Sequence, residues 1–124
     1  MNPAVLRGTQ QAVAQARRWY WQRISAMVLA LCVLVHLLVV IYAVRGGLSG
    51  AEILGRTRGS WGFAAFYGLF VVACAVHVPL GLATISREWA GLSERNALWL
   101  ARGFALLLLL MGLRAVVGVY TGGL

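Results

Sequence analysis

Three long apolar runs, separated by short charged gaps, set the pattern of this chain. The first covers residues 24–44, the second 61–86 and the third 97–120. A helix rises about 1.5 Å per residue, so about 20 apolar residues cross a hydrocarbon core of about 30 Å. The pattern therefore predicts an all-α integral membrane protein with three transmembrane helices. The second run is long for a single crossing and must tilt or project from the bilayer. Pro79 lies inside it and is expected to kink the helix, because proline removes a backbone hydrogen bond. The third run is interrupted by Arg102 and Arg114, long side chains that can snorkel to the nearer surface.

The polar stretches complete the layout. Residues 1–23 form a basic segment in which Asn2-Pro3 can open a helix, since proline suits the first turn. Trp19, Tyr20 and Trp21 stand just before the first run, where an interfacial aromatic belt belongs. No small-residue cleavage site follows the first run, which argues against a secretory signal. A Gly- and Arg-containing loop joins the first two runs, a short charged loop covers residues 87–96, and residues 121–124 form a short tail.

Composition sharpens the topology. The chain is 61% hydrophobic and 11% charged, against about 25% charged in a soluble domain. Its net charge is +8, and all 11 basic residues are arginine. Nucleic acid is an unsuitable partner, because these arginines do not share one patch but fill the gaps between apolar runs. Arg7, Arg17, Arg18 and Arg23 fall on one side with Arg87, Arg95 and Arg102, while Arg45, Arg56, Arg58 and Arg114 fall toward the other. Positive charge accumulates on the cytoplasmic side. The expected location is a bacterial inner membrane, with the N-terminus in the cytoplasm and the C-terminus outside. Cys32 and Cys74 both lie in apolar runs and read as small apolar filler rather than a disulfide framework.

The candidate chemistry rests on two histidines, His36 and His77, each inside an apolar run. An ionisable side chain within a membrane helix is costly and suggests function. Neutral imidazole is a good axial ligand for haem iron; a hydrogen bond to a neighbouring helix is the alternative. On the helical face of His77 lie Phe70, Ala73, Cys74, Gly81 and Thr84. Small residues one turn to either side, Ala73 and Gly81, leave room for a flat macrocycle or for close helix packing. The His36 face carries Ser25, Leu29, Cys32, Val33 and Val40. Counted along the helices at 1.5 Å per residue, His36 lies about 18 Å from the cytoplasmic start of its run and His77 about 13 Å from the cytoplasmic end of its own. That difference suits two stacked haems better than one haem shared within the chain. The pairs Cys32/His36 and Cys74/His77 also have helical spacing for a clipped zinc or copper ion, with nothing acidic nearby.

At the cytoplasmic rim, Trp19, Trp21, Arg23 and Ser25 converge with Arg87, Glu88 and Trp89 and with Arg95, Trp99 and Arg102. A quinone needs an apolar slot, donors for its carbonyls and a proton route. Arginine, serine and tryptophan can donate, and Glu88 is a candidate proton relay. The same residues also serve as plain interfacial anchors.

The stretch Trp19-Tyr20-Trp21-Gln22-Arg23-Ile24-Ser25-Ala26 resembles the opening of the first helix in membrane anchor subunits of succinate dehydrogenase and fumarate reductase. The stretch His77-Val78-Pro79-Leu80-Gly81-Leu82, followed by Arg87-Glu88-Trp89, resembles that family's second-helix pattern. There a haem-ligating histidine precedes a glycine by four residues, and an acidic-aromatic pair follows the helix. The resemblance covers most of residues 19–92. It implies His77 as an axial ligand of haem b, with His36 as a second ligand of the kind found in di-haem anchors. It implies a quinone pocket at Arg23, Ser25, Trp21, Glu88 and Trp89. Trp89 departs from the usual tyrosine and Gln22 from the commoner histidine. The implied partners are a flavoprotein subunit, an iron–sulfur subunit and a second three-helix anchor chain, identical or sister. One or two haems would be held per anchor pair, and the chain would bind membrane lipid and quinone. It would contribute the quinone site while the missing subunits carry out the dicarboxylate chemistry. Three rivals remain: a small transporter or channel subunit, a cofactor-free structural anchor, and a haem-b subunit of a different quinone-linked oxidoreductase.

Overall fold

The computed structural model describes residues 2–123. Among these residues there are four helices and no strand: α1 (Pro3–Arg45), α2 (Gly50–Thr57), α3 (Trp61–Glu88) and α4 (Glu94–Thr121). α1, α3 and α4 are each long and apolar enough to cross a membrane. The three apolar runs fall inside them, with helix extending beyond each run.

α1 starts where the sequence offers a cap. Asn2 Oδ1 accepts a hydrogen bond from the Ala4 N–H at 3.0 Å, and Pro3 occupies the first turn. The helix then continues for 43 residues, about 65 Å, with no break where the basic segment meets the apolar run. Residues 9–45 contain neither glycine nor proline, so nothing in the sequence interrupts it. Residues 3–21 are exposed all round, and packing against the rest of the chain begins at Gln22.

The connection from α1 to α3 holds a helix of its own. Ser49 caps α2 in a reciprocal box: its hydroxyl accepts from the Glu52 N–H at 3.2 Å, and the Glu52 carboxylate accepts from the Ser49 N–H at 2.7 Å. The Ser49 backbone N–H first, and then the neighbouring Ser49 hydroxyl, hold the Glu52 carboxyl below its ordinary value. The end of α2 is tied to the end of α4. The Thr57 hydroxyl donates to the Val119 carbonyl at 3.1 Å and the Gly59 N–H donates to the Tyr120 carbonyl at 2.7 Å. Trp61 and Tyr120 pack ring to ring at 5.1 Å. Gly122 closes α4 with φ of 81°, in the left-handed region that glycine adopts without strain.

α3 is the central helix, packed on α1 along one side and more extensively on α4 along the other, while α1 and α4 make no extensive contact. Pro79 deprives the Ala75 carbonyl of its usual helical donor, yet α3 runs through it to Glu88. The buried apolar positions are small residues: Cys32, Ala73, Ala97 and Ala101. Small side chains let helices approach closely. The closest approach is at Gly112, where a Cβ would stand 2.5 Å from Val71 Cγ1. Long apolar side chains such as Leu31, Leu38, Leu106 and Leu110 face outward instead.

α1 and α3 run antiparallel in one clear register. Gln22 lies against Gly81, Ser25 against His77, and His36 against Tyr67. The same register sets Trp19 to Trp21 beside the last turns of α3. α3 therefore extends beyond the apolar part of α1 at the arginine-rich end.

Candidate functional site

The first histidine level is built where α1 meets α3. His77 is half-buried, and its Nδ1 lies 3.2 Å from the Oγ of Ser25, which is buried. The Ser25 hydroxyl is also 3.1 Å from the Gln22 carbonyl one turn back, in the geometry of a donor. One turn along α3, Gly81 faces the Gln22 side chain; a Cβ there would stand 3.5 Å from Gln22 Nε2, an ordinary contact. On the α1 side the space beside Gly81 is thus occupied by the Gln22 side chain. Gln22 Oε1 is buried and has no hydrogen-bond partner among the described residues.

The second level is aromatic. The half-buried His36 has its Nδ1 3.4 Å from the Tyr67 hydroxyl, and its ring meets those of Tyr67 and Phe70 edge-on at 5.8 and 6.0 Å. Phe70 therefore packs with His36 rather than forming the surroundings of His77. The two levels are ten residues apart on α3 and eleven on α1, about 15 Å along the axis. Simple counting along each run gives a smaller offset because it takes the arginine-rich ends of α1's run and α3's run to be level.

Neither cysteine pair gains a third donor. Among the described residues no three His, Cys, Asp or Glu side chains form a group able to hold an ion. Cys32 and Cys74 are free thiols.

At the arginine-rich end a cleft of about 610 Å³ opens between α1, α3 and α4. Its walls are apolar or small, with Pro79, Leu80, Ala83, Ala97, Ala101 and Ala105, and Arg18, Gln22, Arg87 and Arg102 supply donors. Arg87 also reaches Glu94 at 3.8 Å, a solvent-exposed ion pair of small energetic value. The predicted quinone residues are dispersed around this cleft. Ser25 is engaged with His77. Arg23 sits over the Trp19 ring, 5.3 Å from its centre, in a cation–π contact. Trp21 meets Tyr20 edge-on and borders a second, shallower depression with Arg17 and Pro79. Glu88 ends α3, and the following Trp89 is 85% exposed. Neither of the two lines the cleft.

Three participants were not singled out by sequence reading: Tyr67, Arg18 and Gln22 as a lining residue. Tyr67 carried one readable signal, a polar-tipped aromatic inside an apolar run. The other two depend on helix register, which hydropathy does not encode. No family model, curated protein or solved structure matches the chain.

Proposed function

We propose that this chain is the haem-b- and quinone-binding membrane anchor of a succinate dehydrogenase or fumarate reductase type complex, spanning a bacterial inner membrane with its N-terminus in the cytoplasm. The observation that carries this reading is the meeting of its two motifs. Gln22 and Ser25 come from the first, His77 and Gly81 from the second; across the α1–α3 seam Ser25 contacts His77 and the Gln22 side chain faces Gly81. Those residue types drew the resemblance while separated by about half the chain.

His77 fits the role of an axial ligand. Its Nδ1 is occupied by Ser25, so Nε2 is the nitrogen left for iron, and a ligating histidine characteristically engages its other ring nitrogen in this way. When bound, haem b supplies one-electron storage near the path to quinone. A second anchor chain, identical or sister, would complete the haem site with His77. His36 supplies the candidate ligand of a second haem, one level farther from the cytoplasm. The cleft between the three helices offers the quinone its apolar slot, with Gln22, Arg18, Arg87 and Arg102 as donors to its carbonyls. Arg23, Trp21, Glu88 and Trp89 lie outside the cleft lining at the same end, where an iron–sulfur subunit would dock. The flavoprotein would carry out the dicarboxylate reaction beyond it. Leucine-rich outer faces would meet lipid or the second anchor.

The test is a reduced-minus-oxidised spectrum of the purified complex with a pyridine haemochrome count. A b-type band that disappears in His77→Ala is expected, with partial loss in His36→Ala. An assembled wild-type complex without a haem band would sink both ligand assignments and favour a haem-free anchor or a transporter.

A further inference from the structure

The two histidines differ in what their hydroxyl partners can do with their own protons. A serine hydroxyl has one proton and accepts with its lone pairs. Ser25 gives its proton to the Gln22 carbonyl at 3.1 Å. Toward His77, 3.2 Å away, Ser25 therefore has only lone pairs to offer. The contact is satisfied only when His77 carries its proton on Nδ1 and donates it to Ser25. That leaves the Nε2 lone pair free.

Tyr67 faces the opposite situation. No other acceptor is bonded to its hydroxyl among the described residues, so the proton is free for the Nδ1 of His36 at 3.4 Å. Were Tyr67 to accept instead, its own O–H and the His36 Nε2 lone pair would both be left unpaired, whereas donation leaves only the His36 Nε2–H without a partner among the described residues. In a low-dielectric interior the arrangement with fewer unpaired groups wins. Donation from Tyr67 places the His36 proton on Nε2, where it blocks metal ligation.

We infer that the chain holds its two histidines in opposite neutral tautomers, His77 as the Nδ1–H form fixed by Ser25 and His36 as the Nε2–H form fixed by Tyr67. Ser25 is then a positioning residue for His77 rather than part of the quinone pocket. The consequence for ligation rests on the haem reading of His77; the tautomers themselves do not. On this view His77 is ready to ligate as folded. His36 becomes a ligand only if Tyr67 turns to accept.

The experiment is nitrogen-15 NMR of histidine-labelled, full-length chain in lipid bilayers without haem, with the two rings assigned by His36→Gln and His77→Gln. Protonated and bare ring nitrogens resonate far apart, so each tautomer is read directly. His77 is expected protonated on Nδ1 and His36 on Nε2. Ser25→Ala should return His77 toward the Nε2–H form that free imidazole prefers, Ser25→Thr should preserve Nδ1–H, and neither should move His36. In the assembled complex, Ser25→Ala should weaken haem retention at His77 about tenfold or more, with threonine restoring it. An Nε2–H His77 in wild type, or a His77 tautomer indifferent to Ser25→Ala, would overturn the inference. The expected tautomers in a complex that binds no haem would uphold it and remove the haem reading instead.

Discussion

The His77 and His36 levels use the same pair of helices and the same kind of contact, a ring nitrogen against a hydroxyl, yet they are built differently. At His77 the hydroxyl is buried, sits on the long helix and is tied to its own backbone. Gln22 lies one turn back on α1 and lines the cleft that the arginines share. At His36 the hydroxyl belongs to a tyrosine on α3, and the surroundings are aromatic rings. The difference teaches that intramembrane depth alone does not define a histidine's chemistry. The proton count of its partner does.

Several substitutions break or sharpen this contrast. On the proposed haem reading the largest expected effect is spectral, with His77→Ala abolishing the b-type signal of the His77 level and His36→Ala leaving that signal in place. Gly112→Ala comes next. Val71 lies between the two levels on α3, and a methyl group at Gly112 would force α4 away from it. Overpacking of this kind costs about 1–3 kcal/mol. Detergent or thermal unfolding should show that loss, with Val71→Ala recovering most of it in the double variant. Smaller still is the asymmetry between hydroxyl deletions. Ser25→Ala should cost about 1 kcal/mol by removing the hydrogen-bond partner of the half-buried His77 ring. Tyr67→Phe should cost less, since its bond is longer and His36 keeps its aromatic contacts; equal losses would remove the contrast. Gln22→Leu should leave unfolding nearly unchanged, because its Oε1 has no partner to lose, while on the proposed quinone reading it should weaken a quinone-site inhibitor in a titration of quinone reduction by the complex.

The smallest effect lies far from both levels. Glu52 has its carboxyl pulled below the ordinary value by Ser49, so its support of α2 is complete above the ordinary glutamate range and fades as acid protonates it below that. Hydrogen exchange of the α2 amides should accelerate over that acidic range and not in Glu52→Gln, with the α1–α3 seam unaffected.

Much of this architecture is legible in the chain because a membrane crossing is a one-dimensional property. The runs at 24–44, 61–86 and 97–120 lie within α1, α3 and α4 because apolar length alone sets them. The capping box of α2 was equally readable, as serine followed three residues later by glutamate, but an Arg- and Gly-containing stretch reads as loop first. The extension of α1 back to Pro3 is invisible to hydropathy because many of its residues are polar; the Asn2-Pro3 start signal and the absence of Gly and Pro between positions 9 and 45 announce it. Register is a different matter. That His36 meets Tyr67, or that Gln22 reaches Gly81, follows from how far one helix slides along another. The close approach of Gly112 to Val71 likewise fixes the second seam. Such placements depend on three-dimensional packing that no periodicity in a single run contains.

One consequence follows from the unbroken α1. Its exposed half and the half that touches α3 belong to one rod, so the azimuth at which Arg7 or Arg17 is presented is geared to the azimuth of Ser25. Each residue advances the helix by about 100°. Inserting a single alanine between Arg17 and Arg18 would turn the protruding arm by that angle and leave the Ser25–His77 contact untouched. Inserting a near-integral number of turns would restore the original bearing about 10 Å farther out. The rod thus behaves as a crankshaft, with the direction in which the chain meets anything beyond the membrane indexed, residue by residue, to its histidine.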